Sequence, residues 1–287
     1  MTLSSPLVPI KTPRDLRSLK KNWGNPSGLV PTMGALHEGH IQLIRHAAST
    51  AEEVIVSIFV NPTQFADNED LESYPRNLAS DIEMAQLAGA TQIFVPNVKD
   101  LYPNGFSTYV VPCGPLVERW EGKSRPYLFR GVCTVVFKLF QIIQPTFAIF
   151  GQKDFQQLQV VRQMVSDLDL QVEIHAIPTV REEDGLAMSS RNGYLSAEQR
   201  TTATQIYAAM EQMRAAICAR QDSYADIERK ASQSLMAAGL KPEYVTIRNA
   251  RNLQPAEPGD YQLVILMAAF MGTTRLIDNM QITLDQA

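Results

Sequence analysis

Two histidines three positions apart, His37 and His40, close the segment Pro31-Thr-Met-Gly-Ala-Leu-His-Glu-Gly-His40. The apolar run Gly28-Leu-Val leads into it, and helically spaced Ile41, Leu43, Ile44, Ala47 and Ala48 lead out, so it spans a strand-to-helix turn. In a doubly wound sheet a ligand binds just past the carboxyl end of such a strand. Backbone N–H groups and the positive end of a helix dipole make that place attractive to phosphate. Gly34 and Gly39 remove side chains where a nucleotide would approach, and paired imidazoles can donate to phosphoryl oxygens as charge develops. A zinc-protease helix is excluded because position 41 is Ile, and neither a Walker A ending nor G-x-G-x-x-G is present. The bland alternative is one histidine capping the helix while the other is merely exposed.

Three further segments carry usable groups. Gly151-Gln-Lys-Asp-Phe-Gln-Gln157 lies at another strand-to-helix turn. Its lysine can counter polyphosphate charge, its aspartate can accept from a ribose or hold a metal, and its glutamines can bind a hydroxylated substrate. Ala187-Met-Ser-Ser-Arg-Asn192 sets two hydroxyls beside a guanidinium in a loop suited to phosphate. Asn61-Pro-Thr-Gln-Phe65 follows a buried strand, so Gln64 is expected near the same sheet edge.

The elements that hold these segments are legible from periodicity. Val54 to Val60 is a nearly continuous apolar run stopped by Asn61-Pro62, the pattern of a strand covered on both faces. Leu78, Ile82 and Ala85 mark a helix, Gln92 to Val95 a strand, Val132 to Ile143 a buried helix, and Phe147 to Phe150 another strand. Phe155, Leu158, Val161 and Val165 recur at helical spacing, and Val172 to Ala176 is a fifth strand. Strands alternating with helices predict an α/β, doubly wound, Rossmann-like parallel sheet domain over residues 1–181. From residue 182 to 287 the pattern predicts a smaller α+β domain. A capping-box helix runs from Ser196 to Arg220, a second opens at Ser223 and stops at Gly239, and strands follow at Glu243 to Arg248 and Leu263 to Met271. The charged, glycine-ended loop Arg181 to Gly185 suits an interdomain hinge.

Composition narrows the class. The chain has 287 residues, 45% hydrophobic and 20% charged, enough for a real core and unlike a disordered protein. Its longest wholly apolar run, Leu263 to Met271, is about half of a membrane span, and no basic, then apolar, leader precedes Lys11, so a cytoplasmic protein is expected. With 26 basic and 30 acidic residues the net charge is −4, which argues against nucleic acid as a partner. Cys113, Cys133 and Cys218 form no C-x-x-C pair and are read as buried thiols.

The H-x-G-H motif at His37 to His40 resembles the adenylyl-transfer signature of the nucleotidyltransferase and class I aminoacyl-tRNA synthetase superfamily. Pro31-Thr-Met-Gly, Phe59-Val-Asn-Pro-Thr-Gln-Phe65, Tyr74-Pro-Arg76, Phe129-Arg-Gly131, Lys153-Asp-Phe-Gln-Gln157, Met188-Ser-Ser-Arg-Asn192 and Leu276-Ile-Asp-Asn279 together are narrower. They resemble the pantothenate synthetase family over nearly the whole chain. The resemblance implies a two-step ligase in which ATP activates pantoate as an adenylate, pyrophosphate leaves, and β-alanine displaces AMP; Mg2+ serves the first step. It implies an ATP site lined by Met33, Gly34, Ala35, Leu36, His37, Glu38, Gly39 and His40, with His40 catalytic and His37 its phosphate-binding companion. Gly151, Gln152, Lys153, Asp154, Val180, Met188, Ser189, Ser190 and Arg191 would complete that site, with Lys153, Ser189, Ser190 and Arg191 also acting in catalysis. Gln64 and Gln157 would hold pantoate, Gln64 close to β-alanine as well, and Asp81 would contribute to magnesium binding. Members are homodimers whose carboxyl-terminal domain acts as a lid.

Two positions depart from the family pattern. Tyr127-Leu128 stands where Gly-His is common before Phe-Arg-Gly, and Gln152 stands where Glu is frequent. The first removes an imidazole near pantoate, and the second removes a charge beside Lys153 while preserving hydrogen bonding. Alternative readings are another H-x-G-H nucleotidyltransferase, or a nucleotide-binding module without turnover.

Overall fold

A computed structural model describes residues 6–66, 69–220, 222–257 and 259–285. Their contacts divide into two compact units, one comprising residues up to 151 and 156–178, the other 152–155 and the chain from Thr179 on.

The first unit opens with helix α1 (Pro13–Lys20) and strand β1 (Ser27–Thr32), followed by α2 (Glu38–Thr50), β2 (Glu53–Ile58), α3 (Leu78–Leu87) and β3 (Gln92–Phe94). Two short helical turns, α4 (Val98–Leu101) and α5 (Glu121–Ser124), precede the long α6 (Leu128–Ile143). Strand β4 (Phe147–Gly151), α7 (Phe155–Asp167) and β5 (Glu173–Ile177) complete it. All pairings are parallel, in the order β3-β2-β1-β4-β5. Because the chain winds outward from β1 toward β3 and then from β4 toward β5, the order reverses between β1 and β4, the place where such sheets form a crevice.

Burial of both faces explains the continuous apolar strands. Leu29, Ile55, Ala148 and Phe150 point into a core shared with α1, α6 and α7, while their neighbours Val30, Val54, Val56 and Ile149 point into the core under α2 and α3. The predicted doubly wound sheet is therefore present. Strand β2 stops two residues short of the expected Val60. Helix α1 is not among the expected elements, although its start is signalled by Thr12 as N-cap, Pro13 at the first position and Asp15 in the first turn; the turns between residues 98 and 124 are not among them either.

The second unit contains α8 (Ala197–Ala203), α9 (Gln205–Ala219), α10 (Tyr224–Ala237) and an antiparallel sheet, β6 (Lys241–Asn249), β7 (Gln262–Met271) and β8 (Thr274–Thr283). The Ser196–Gln199 capping box forms as expected. The single helix expected up to Arg220 is interrupted at Thr204, where the Thr204 hydroxyl donates to the Thr201 carbonyl and the Thr201 hydroxyl to that of Ala197. Such back-bonding by β-branched hydroxyl residues weakens the helical ladder. The reading of three buried thiols needs correction: Cys133 is buried, but Cys113 and Cys218 are exposed. No helix among the described residues is long and apolar enough to cross a membrane.

Candidate active site

In the first unit the loops that follow β2 and β1 emerge at the carboxyl ends of two adjacent parallel strands. The β1 loop carries both histidines, and each is built into the start of α2. His37 is the N-cap: its Nδ1 accepts from the Gly39 N–H at 3.1 Å, while Nδ1 of His40 accepts from the His37 N–H at 3.3 Å. The rings lie 4.1 Å apart, tilted by 46°. Capping and chemistry are thus compatible, because an Nδ1 that accepts from backbone assigns the proton of a neutral ring to Nε2. Nε2–H is then the donor that each ring can offer a phosphoryl oxygen.

The backbone of this loop is occupied from within. The Gly34 N–H donates to Thr32 Oγ1 (3.2 Å), and the Ala35 and Leu36 N–H groups donate to the two carboxylate oxygens of Asp81 (3.0 and 2.8 Å). The His40 and Ile41 amides donate to the His37 carbonyl. The expectation that loop amides serve phosphate is therefore corrected for these positions, and the histidine side chains are the donors suited to it. Asp81, expected near magnesium, is 3% exposed and spends both oxygens on backbone.

After β2, Gln64 sits in the 3₁₀ turn Pro62–Gln64, capped by Asn61, whose side-chain oxygen accepts from the Thr63 N–H. Buried Asn61 organises the turn: its Nδ2 donates to Gln64 Oε1 (2.9 Å) and to the Gly131 carbonyl (3.2 Å), and its Oδ1 accepts from the Tyr102 hydroxyl (3.0 Å). Burial holds the Tyr102 phenol above its usual range, so it remains a donor. Arg125 secures the far side, donating to the Gln64 carbonyl at 3.0 Å and pairing with Glu69 at 2.6 Å. This bonding assigns Oε1 of Gln64 inward and leaves its amide group as the donor it can present to a substrate. A Cβ at Gly131 would lie 2.3 Å from the Thr63 carbonyl oxygen, so only glycine lets α6 approach this turn. Asn61, Tyr102 and Gly131 had no assigned role in the sequence reading; the sole local signal was a polar residue and proline ending an apolar strand.

Gln156 and Gln157 separate by role. Gln156 is buried, accepting from the Glu121 N–H and donating to the Leu116 and Arg119 carbonyls, whereas Gln157 is only part-buried at the start of α7. Leu128 lies in the core at 6% exposure and Tyr127 at the surface, so neither supplies what an imidazole would.

The second unit carries the remaining groups. Asn279 Nδ2 donates to the Gln152 and Lys153 carbonyls, both at 2.8 Å, and Gln281 Nε2 donates to Gln152 Oε1 at 2.8 Å, so β8 grips the turn bearing Lys153. Nζ of Lys153 is 4.0 Å from the Asp154 carboxylate. Val180 and Met188 face each other through the Met188 N–H to Val180 carbonyl bond of 2.9 Å. Ser189 caps the short 3₁₀ helix Ser190–Tyr194 by accepting from the Arg191 N–H at 3.3 Å. The charged loop is anchored: Arg181 pairs bidentately with buried Asp278 (2.6 and 3.0 Å), and Arg200 with Glu182 and Asp184 (2.6 and 2.8 Å).

Comparison with known proteins gives the family. Residues 9–281 match the family described as Pantoate-beta-alanine ligase. The chain belongs to the pantoate–β-alanine ligase family. It is 49% identical over 281 residues to the pantothenate synthetase of Pseudomonas putida (strain W619), covering 96% of this chain and 98% of that one. To that of Shewanella loihica it is 50% identical, covering 92% and 95%. Among solved structures, the pantothenate synthetase of Thermus thermophilus superposes with a TM-score of 0.90 at 42% identity, covering 96% of this chain and 99% of that one. The pantoate–β-alanine ligase of Francisella tularensis, solved with β,γ-ATP and β-alanine, gives a TM-score of 0.81 at 34% identity, covering 96% and 97%.

Proposed function

We propose that this pantoate–β-alanine ligase works through an acyl adenylate. A carboxylate oxygen of pantoate attacks the α-phosphorus of ATP and pyrophosphate leaves. The amine of β-alanine then attacks the acyl carbon, loses a proton, and AMP departs with the electron pair of the broken C–O bond. Adenylation is needed because a carboxylate would otherwise have to expel oxide, whereas AMP leaves as a stable anion. The observation that carries the reading is the pair of imidazoles whose Nδ1 atoms accept from backbone N–H groups, which puts the proton of each neutral ring on Nε2, a donor suited to phosphate oxygens. Lys153 supplies a point charge, and Ser189, Ser190 and Arg191 are groups of the kind that bind phosphate oxygens. Gln64, held by Asn61, and Gln157 are suited to the hydroxyl and carboxylate groups of pantoate. No covalent enzyme nucleophile is required.

Magnesium is proposed to enter with the phosphates of ATP. Among the described residues no group of three or more His, Cys, Asp or Glu is arranged to hold a metal, so a protein cage does not fit, and no step is derived through the ion. A homodimer is supported by exposed apolar side chains, Tyr109 and Val111 in the segment 106–112 and Tyr127, of which Val111 and Tyr127 line one hollow. ATP as substrate, and three cysteines without disulfides, support a cytoplasmic setting.

The test is ATP–pyrophosphate exchange. It is expected to depend on pantoate and to fall roughly 10²- to 10⁴-fold in His40→Ala with the fold retained, the range for one acid/base or oxyanion donor. Exchange requiring a different acceptor would identify another nucleotidyltransferase, and no exchange at all would identify a binding module.

A further inference from the structure

The loop that delivers the histidines takes a costly path. Gly34 has φ +83°, and Ala35, which has a Cβ, has φ +51°. A side chain in the left-handed region persists only where its surroundings over-determine it. Two consecutive residues of this kind turn the Ala35 and Leu36 N–H groups toward a single point, the sort of concavity that binds an anion. The anion at that point is a protein carboxylate. Asp81, in the first turn of α3, accepts from Ala35 N–H with Oδ2 at 3.0 Å and from Leu36 N–H with Oδ1 at 2.8 Å.

The fit around the carboxylate is close. A Cβ at Gly34 would lie 3.0 Å from Asp81 Oδ2 and 3.1 Å from Ile58 Cγ2, so a side chain there would crowd the carboxylate in addition to the strain at φ +83°. From below, Thr32 Oγ1 accepts from the Gly34 N–H and donates to the Ser57 carbonyl at 2.8 Å, tying the same loop to β2. Leu36 is followed directly by the N-cap His37, so the orientation of the capping pair is set by where the Leu36 amide is pinned.

We infer that Asp81 is a positioning residue for adenylation: its buried carboxylate, bridging the Ala35 and Leu36 amides, holds the left-handed turn that aims His37 and His40. It acts through those rings, so the inference rests on reading them as the phosphate donors. It also assigns Asp81 a role different from the magnesium ligand expected from family resemblance, and the two roles separate experimentally.

Asp81→Asn keeps the shape but replaces one acceptor by an N–H₂ that opposes a backbone donor. At saturating ATP, pantoate and Mg2+, kcat for ATP–pyrophosphate exchange is expected to fall about 10- to 100-fold, the usual effect of losing an outer partner or misplacing a reacting group by about 1 Å. The Mg2+ concentration for half-maximal exchange should stay within about twofold of wild type, because no metal–ligand bond is removed. A large rise in that concentration, with kcat recovered at high Mg2+, would make Asp81 a metal ligand and overturn the inference. Wild-type kcat in Asp81→Asn, in a protein whose His40→Ala variant is crippled, would overturn the positioning role alone. Wild-type exchange in His40→Ala would overturn it together with the phosphate-donor reading. Hydrogen exchange in the unmutated, nucleotide-free protein decides the matter even if Asp81→Asn does not fold. The Ala35 and Leu36 amides should be protected, and exchange as fast as in the exposed loop around Asn104 would refute the clamp.

Discussion

Gly131→Ala tests how the fold places Gln64. The new Cβ would stand 2.3 Å from the Thr63 carbonyl oxygen, 2.6 Å from the Thr63 carbonyl carbon and 3.0 Å from the Gln64 nitrogen. Real contacts essentially never fall below 3.0 Å, so α6 and the Pro62–Gln64 turn must separate by about 0.7 Å. The helix cannot readily yield, because Leu128, Phe129, Val132 and Cys133 around the substitution are all buried in the core. The turn therefore moves, carrying Gln64 with it and straining the Asn61 to Gly131 carbonyl bond of 3.2 Å and the Arg125 to Gln64 carbonyl bond of 3.0 Å. Overpacking of this kind costs about 1–3 kcal/mol. That should lower the melting temperature of the unit by roughly 2–12 °C, at about 2–4 °C per kcal/mol for this size. A displacement approaching 1 Å should reduce kcat/KM for pantoate by roughly 10- to 100-fold, with the KM for ATP much less affected. Calorimetry and exchange kinetics with pantoate and ATP varied separately measure both effects. Wild-type melting would refute the close approach; lowered melting with unchanged pantoate kinetics would refute the substrate role of Gln64.

Lys153→Ala should cripple adenylation, yet leave appreciable conversion of preformed pantoyl adenylate and β-alanine to pantothenate, because the phosphate charge that Lys153 is proposed to counter departs with pyrophosphate; equal damage to both half-reactions in rapid-quench assays would contradict this. Burial pushes the Cys133 thiol up to about 12, so it stays protonated through mildly alkaline pH, and alkylation of the native protein at pH 8 should modify exposed Cys113 and Cys218 only. Mass spectrometry showing a third native adduct would refute that burial, whereas unfolding in urea should make all three react.

Local regularity made much of the first unit readable. Parallel strands covered on both faces must be apolar throughout, so Val54 to Ile58 and Phe147 to Phe150 stand out beside helices with one apolar stripe. Strand β8 is harder to see, since its buried positions include the polar neighbours Asp278 and Asn279, at 4% exposure each and on opposite faces of the strand. Those residues are tolerated there because Arg181, 97 positions away, neutralises Asp278, and because Asn279 satisfies two carbonyls of the turn at Gln152 and Lys153. Helix α9 starts anew after Thr204 for a local reason, but hydroxyl back-bonding competes closely with the ladder and composition does not predict which wins.

The sequence by itself determined the class of chemistry: histidines three apart at a strand-to-helix turn, a lysine at a second such turn, and hydroxyls beside an arginine in a third loop. Residue type and short spacing suffice for that, because they set which groups can donate, accept or carry charge within one turn of chain. Tertiary structure alone decided how those groups are aimed. Asp81 reaches Leu36 across 45 positions, Asn61 reaches Gly131 across 70, and Asn279 reaches Lys153 across 126. A buried hydrogen bond is worth making only when both partners have left water, and which residues leave water together is settled by the packing of the sheets, not by neighbours along the chain.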